Sequence, residues 1–259
     1  MKALAARRHH RSAPVVLLLL ALLVTGGLYA ALAPTPAGAA EASESDIQTG
    51  SDLFKANCAT CHGMSAEGTQ DAPSLIGVGA ASVDFQVGTG RMPMENNGPQ
   101  ALAKPPQFTD EQVAQLAAYV ASLGPGPAIP TAEQIDPEQG DEANGMQIFR
   151  TNCAMCHNAV GAGGALSEGK FAPSLWDSSP KVIYEAMVTG PQAMPVFNDA
   201  NLTPDEKRDV ISYIVAQRVG SPGGAELGAL GPVTEGLWAW VIGIGLLIAC
   251  SVWIGAKSS

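Results

Sequence analysis

The sequence predicts an all-α protein, with two small helical domains in tandem between an apolar N-terminal segment and a C-terminal transmembrane helix. Two observations predict it. GSDLFKANCATCHG from Gly50 is echoed by GMQIFRTNCAMCHN from Gly145, APSL at Ala72 by APSL at Ala172, VGTGRMP at Val87 by VTGPQAMP at Val188, and FTDEQVAQLAAYVASL from Phe108 by LTPDEKRDVISYIVAQ from Leu202. Four blocks in the same order at offsets of 94 to 102 residues mark a duplicated unit. Two uncharged apolar runs, Pro14 to Ala33 and Gly236 to Ile254, bracket the pair, and each is long enough to cross a bilayer.

The elements follow in chain order. Lys2, Arg7, Arg8 and Arg11 precede the first apolar run, and such a cluster stays cytoplasmic while the chain behind it is exported. Residues 1–40 therefore read as a basic N-terminus with a transmembrane anchor, or as a signal peptide cleaved at Ala37-Gly38-Ala39 ahead of Ala40. The first domain spans 45–123 and the second 145–219. Between them, residues 124–144 hold four prolines and several acidic residues and read as an exposed, semi-rigid linker. A Gly-rich linker, 220–235, leads to the transmembrane helix 236–256, where Trp238 and Trp240 lie near one end and Trp253 near the other, with Lys257 behind.

Each copy ends on a helix. Thr109 with Gln112 and Thr203 with Glu206 have capping-box spacing, and Pro204 stands at the first helical position, where its missing N–H costs nothing. Val113, Leu116, Ala117 and Val120 fall on one face, as do Val210, Ile211 and Ile214.

Composition narrows the function. All 24 Asp and Glu lie between Glu41 and Glu235 against 9 Lys and Arg, a balance of −15, which repels nucleic acid and favours a basic partner or a solvated encounter. Aromatic residues make up only 5% of the chain, little for two independent cores, so a buried cofactor has room to complete them.

The chemistry sits in Cys58-Ala-Thr-Cys61-His62 and Cys153-Ala-Met-Cys156-His157. Two cysteines three apart on a helical turn project from one side, so both thiols can add to the vinyl groups of one haem while the next residue reaches the iron. A zinc site or redox dithiol would leave both histidines unexplained. The spacing thus points to two covalently bound haems c, through Cys58 and Cys61 and through Cys153 and Cys156, with His62 and His157 as iron ligands. The other histidines, His9 and His10, belong to the basic N-terminus. Methionine is then the usual remaining sixth ligand. Met92 and Met194 follow the TG block and precede Pro93 and Pro195 at equivalent positions; Met94 competes with Met92. Met64 and Met155 are too close to the attachment motifs to cross to the opposite haem face, and Met146 and Met187 read as core. Pro73 and Pro173 are candidates to accept a hydrogen bond from the second histidine nitrogen, or are turn prolines without that contact.

With these motifs in place, the chain resembles class I cytochromes c, twice over. In that family a small residue and an aromatic ahead of the attachment motif pack on the C-terminal helix. Gly50 and Phe54, and Gly145 and Phe149, match, which implies partners at Leu116 and Tyr119, and at Val210 and Tyr213. The whole layout is similar to the dihaem cytochrome cc subunits of actinobacterial cytochrome bcc complexes. That resemblance implies a membrane-bound electron-transfer subunit of a menaquinol:cytochrome c oxidoreductase, a translocase, with no independent active site. It implies cytochrome b and Rieske iron–sulfur partners, delivery to an aa3-type oxidase, and haem domains on the extracytoplasmic side of the plasma membrane. Alternatives are the dihaem subunit of a cbb3-type oxidase or membrane dehydrogenase, and a dihaem peroxidase, which needs one open iron.

Overall fold

The computed structural model describes residues 13–32, 42–95, 98–219 and 232–256; the Ala37–Ala39 motif, Lys257 and most of the 220–235 linker lie outside them. The chain divides into two units, Met1–Glu41 and Ala42–Ser259. In the first, α1 (Ala13–Leu32) is an uninterrupted helix, with exposed Leu17, Leu20 and Leu23 on several sides of it and an apolar stretch at Pro14–Leu28.

The second unit holds both repeat copies. Its first copy contains α2 (Glu44–Asn57), the single turn α3 (Ala59–His62), α4 (Gly79–Gly88) and α5 (Asp110–Ser122). The second copy repeats them as α6 (Glu142–Asn152), α7 (Ala154–His157), α8 (Pro180–Thr189) and α9 (Pro204–Val219). The last helix, α10 (Pro232–Ala256), includes Gly236–Ala256, with a mean hydropathy of 2.2 and long enough to cross a membrane.

Helix ends are fixed by side chains. Thr109 and Gln112 form a reciprocal capping box on α5. Thr203 and Glu206 do the same on α9, where the Thr203 N–H donates to Glu206 Oε2 at 2.7 Å and the Glu206 N–H to Thr203 Oγ1 at 3.3 Å. Ser43, Asp141 and Ser179 cap α2, α6 and α8.

In both copies the terminal helices cross, α2 on α5 and α6 on α9. A Cβ at Gly50 would run into the Gln115 carbonyl, and one at Gly145 into the Asp209 carbonyl. One turn on from each glycine, on the same face, a phenylalanine meets a tyrosine. Phe54 and Tyr119 have ring centroids 5.3 Å apart at 45°, and Phe149 and Tyr213 5.3 Å apart at 49°, the tilted geometry that aromatic pairs prefer. Around them lie two separate cores, one built on Phe54, Leu116 and Val120, the other on Phe149, Val210 and Ile214.

The copies differ between histidine and proline. His62 is 11 residues from Pro73, whereas His157 is 16 from Pro173, and the longer loop folds into a two-stranded hairpin, β1 (Gly164–Ala165) with β2 (Phe171–Ala172). The 124–144 segment also departs from the exposed spacer expected of it. Ile129 packs on the first core and Ile135 on the second, and Ser212 Oγ donates to the Pro137 carbonyl at 2.7 Å. Its isoleucines give it apolar surface to bury, which the proline and charge count did not weigh.

Gly50→Ala and Gly145→Ala are each expected to destabilise their own domain by about 1–3 kcal/mol, the range for overpacking, since the obstacle is a backbone carbonyl and not a mobile side chain. Thermal denaturation checks this; an unchanged melting temperature in either variant would show that the helices can part without cost.

Candidate haem sites

Each attachment motif sits where a helix breaks. α2 runs to Asn57, Cys58 leaves helical geometry at φ −121°, ψ −28°, and α3 restarts as one turn carrying Cys61 and His62. Cys153 does the same between α6 and α7, at φ −117°, ψ −35°. None of the four cysteines is in a disulfide. Burial, reinforced by the neighbouring Cys61, pushes the Cys58 thiol up to about 11, and burial with Cys156 pushes Cys153 to about 12. A redox dithiol needs the opposite, a stabilised thiolate. Among the described residues no group of three or more His, Cys, Asp or Glu is placed to hold a metal ion.

The histidines are oriented by backbone. His62 Nδ1 lies 2.8 Å from the Pro73 carbonyl and His157 Nδ1 3.1 Å from that of Pro173. A carbonyl only accepts, so Nδ1 carries the proton and Nε2 keeps its lone pair. The prolines left open by sequence thus make this contact. The Gly68 N–H to the His62 carbonyl at 2.7 Å and the Gly163 N–H to that of His157 at 2.9 Å hold the loops in place.

In the second copy these groups face a half-open pocket lined by Phe149, Cys153, Cys156, His157, Ile214 and Met194 among others. In the first copy, Met92 packs against the core, whereas Met94 is 36% exposed. Met64 and Met155 are 64% and 93% exposed, and Met187 is buried. Met146 packs against the second core. Neutral thiols, a histidine with a free Nε2, a thioether sulfur and apolar walls fit a haem c.

Comparisons with known proteins agree. The family model described as Cytochrome c matches residues 47–124, and that described as Cytochrome C oxidase, cbb3-type, subunit III matches 140–214. The cytochrome bc1 complex cytochrome c subunit of Corynebacterium efficiens is 49% identical over 230 residues, covering 82% of this chain and 77% of the relative. That of Mycobacterium tuberculosis is 45% identical over 247 residues, covering 92% and 88%. The chain belongs to the family of cytochrome bc1 complex cytochrome c subunits. More distantly, the cbb3-type cytochrome c oxidase subunit FixP of Sinorhizobium medicae is 31% identical over 140 residues, half of this chain and 45% of its own length. The two cytochrome c domains indicate covalently bound haem c.

In this cytochrome c subunit the two domains meet through equivalent helices, α4 on α8. Val83 and Val87 turn into their own core, while Phe85, buried at 3%, lines the second domain's cavity together with Arg91 and Gln100. Lys181 Nζ of α8 pairs with Asp84 of α4 at 2.5 Å. Beside them Glu185 is 0% exposed, and no donor among the described residues reaches either carboxyl oxygen. Sequence reasoning missed all of these. Its one available signal was an acid in the apolar run Val182-Ile-Tyr-Glu-Ala-Met-Val188.

Burial first, then the hydrogen bond and charge of Asp84, lift the Glu185 carboxyl from 4.5 to about 9, against the pull of Lys181. A proton on Glu185 removes a buried charge and relieves its like-charge contact with Asp84. The folded state therefore holds a proton that the unfolded chain has lost above its ordinary value, and the stabilisation, complete below about 4.5, declines as pH rises towards about 9. One proton gives at most about 1.4 kcal/mol per pH unit in that window. Glu185→Gln is expected to flatten this slope and to be relatively more stable at alkaline pH. Parallel pH–stability curves for variant and parent would show that Glu185 is ionised in the fold.

Proposed function

We propose that this cytochrome c subunit holds two haems c. The first is linked through Cys58 and Cys61 with His62 and Met92 as axial ligands, the second through Cys153 and Cys156 with His157 and Met194. On this reading the protein relays electrons in a menaquinol:cytochrome c reductase. It takes them from the Rieske iron–sulfur centre beside cytochrome b and passes them towards an aa3-type oxidase. Both haem domains lie on the extracytoplasmic side of the plasma membrane, held there by residues 236–256 and, if it is retained, by the N-terminal segment within 1–40. The observation that carries the proposal is the duplicated constellation of half-buried cysteine, carbonyl-tethered histidine and Met-Pro methionine, within a chain of this family.

Bound haem supplies a one-electron ferric/ferrous couple whose potential follows its axial ligands and burial. The chain does the rest. Thioether links would keep the cofactor in place through repeated redox change, and the Pro73 and Pro173 carbonyls hold Nδ1 of each imidazole so that Nε2 would be free to ligate the iron. A methionine sulfur favours the reduced state relative to a second imidazole. Apolar walls exclude water.

A second reading, the dihaem subunit of a cbb3-type oxidase, draws on the cbb3-type model over 140–214 and the likeness to FixP. Purification in mild detergent separates the two. Co-purifying cytochrome b and a Rieske protein support the first reading, and a copper-containing oxidase core without them supports the second.

The haem assignment is tested on the purified chain. Cys58→Ala with Cys61→Ala is expected to halve the haem content by pyridine haemochrome, and a variant still holding two haems per chain overturns the two-site reading. Met92→His is expected to lower the first haem's potential and Met194→His the second's, with Met94→His nearly silent. A first-haem shift in Met94→His alone would transfer the ligand role to Met94.

A further inference from the structure

Resting on the haem assignment above, we infer that the first domain completes the second haem's site. Arg91 is the carboxylate-binding group for a propionate of the haem attached at Cys153 and Cys156, and Gln100 fixes the loop that carries it.

Arg91 belongs to the first copy, next to Met92, yet its side chain lines the second copy's cavity. The guanidinium is held from two sides. Its Cζ lies 4.7 Å from the centre of the Phe85 ring, and Nη1 donates to Thr89 Oγ1 at 2.6 Å. Among the described residues no carboxylate pairs with it, whereas Lys170, the other basic residue at that cavity, is already 3.2 Å from Glu168. Guanidinium carries five donors, and a partly buried cation facing apolar walls is costly without a counter-ion. The anion that a haem brings into such a cavity is its propionate, whose planar carboxylate suits the guanidinium fork.

The loop is bound to the second domain by side chains acting like backbone. Gln100 Nε2 donates to the Phe171 carbonyl at 2.9 Å, and the Phe171 N–H donates back to Gln100 Oε1 at 2.9 Å, so the amide adds to the edge of β2. The Ala101 N–H donates to Gln192 Oε1 at 3.3 Å, two residues from Met194. Gln100 is thus a positioning residue and Arg91 the group it positions. By offsetting the propionate charge Arg91 destabilises the ferric state of the second haem relative to the ferrous one.

The test is a potentiometric titration of the purified full-length subunit, its two one-electron components assigned with the Cys58→Ala/Cys61→Ala variant. Arg91→Gln is expected to shift the second haem's potential downward and leave the first in place, with Arg91→Lys restoring part of the shift. Gln100→Ala, which leaves Arg91 intact, should move the same component in the same direction by less, so the inference stays testable if Arg91→Gln does not assemble. An unmoved second component, or a shift confined to the first haem, overturns the inference. A parent protein with fewer than two haems overturns the haem assignment instead.

Discussion

Contact between two helix backbones at a glycine is what the rest of this molecule depends on. With Gly50 on the Gln115 carbonyl and Gly145 on that of Asp209, no side chain separates the terminal helices of either domain. The aromatic pair one turn further on locks their angle. The attachment motif begins where α2 or α6 ends, so the same crossing sets the height and direction of the cysteines and histidine against the core. A small domain with few aromatic residues can place reactive groups this reproducibly because its geometry is fixed by backbone and only secondarily by packing.

The seam between the domains is a second constraint, of a different kind. It is chemically mixed, with a buried ring, a guanidinium, an ion pair and a carboxyl group that keeps its proton. Such interfaces resist sliding, because a small displacement leaves a polar group unsatisfied in low dielectric. The two domains are in contact at α4 and α8, and the second cavity is incomplete without its neighbour.

The repeat made much of this legible in advance. The resemblance to class I cytochromes c pointed to the Phe54 and Phe149 pairings with Tyr119 and Tyr213, and local spacing to both capping boxes, because those features are short-range or are enforced identically in each copy. What lay hidden depended on how the copies meet. Nothing in the pattern around Asp84, Phe85 or Arg91 distinguishes a surface from a seam, since a short helix with one polar face reads the same either way. Glu185 is the instructive case: an isolated acid among apolar residues signals either an exposed edge or a buried proton, and only the facing carboxylate of Asp84 decides. The Pro73 and Pro173 carbonyls could be named as candidate acceptors but not chosen over plain turn prolines, because a backbone acceptor has no residue signature of its own.

The α4–α8 seam also bears on how the chain arose. Packing the same helix of each copy against its counterpart is the kind of contact that a symmetric homodimer makes, although here both helices belong to one polypeptide. In a true homodimer every position across the interface is shared, the two sites are degenerate, and an electron has no reason to prefer either. Fusion removes that bond. Position 85 and its equivalent at 185, each with its carbonyl accepting from the threonine one turn on, have become an aromatic ring and a carboxylic acid. Covalent linkage thus allows two descendants of one fold to diverge into an ordered pair without giving up the contact that brought them together.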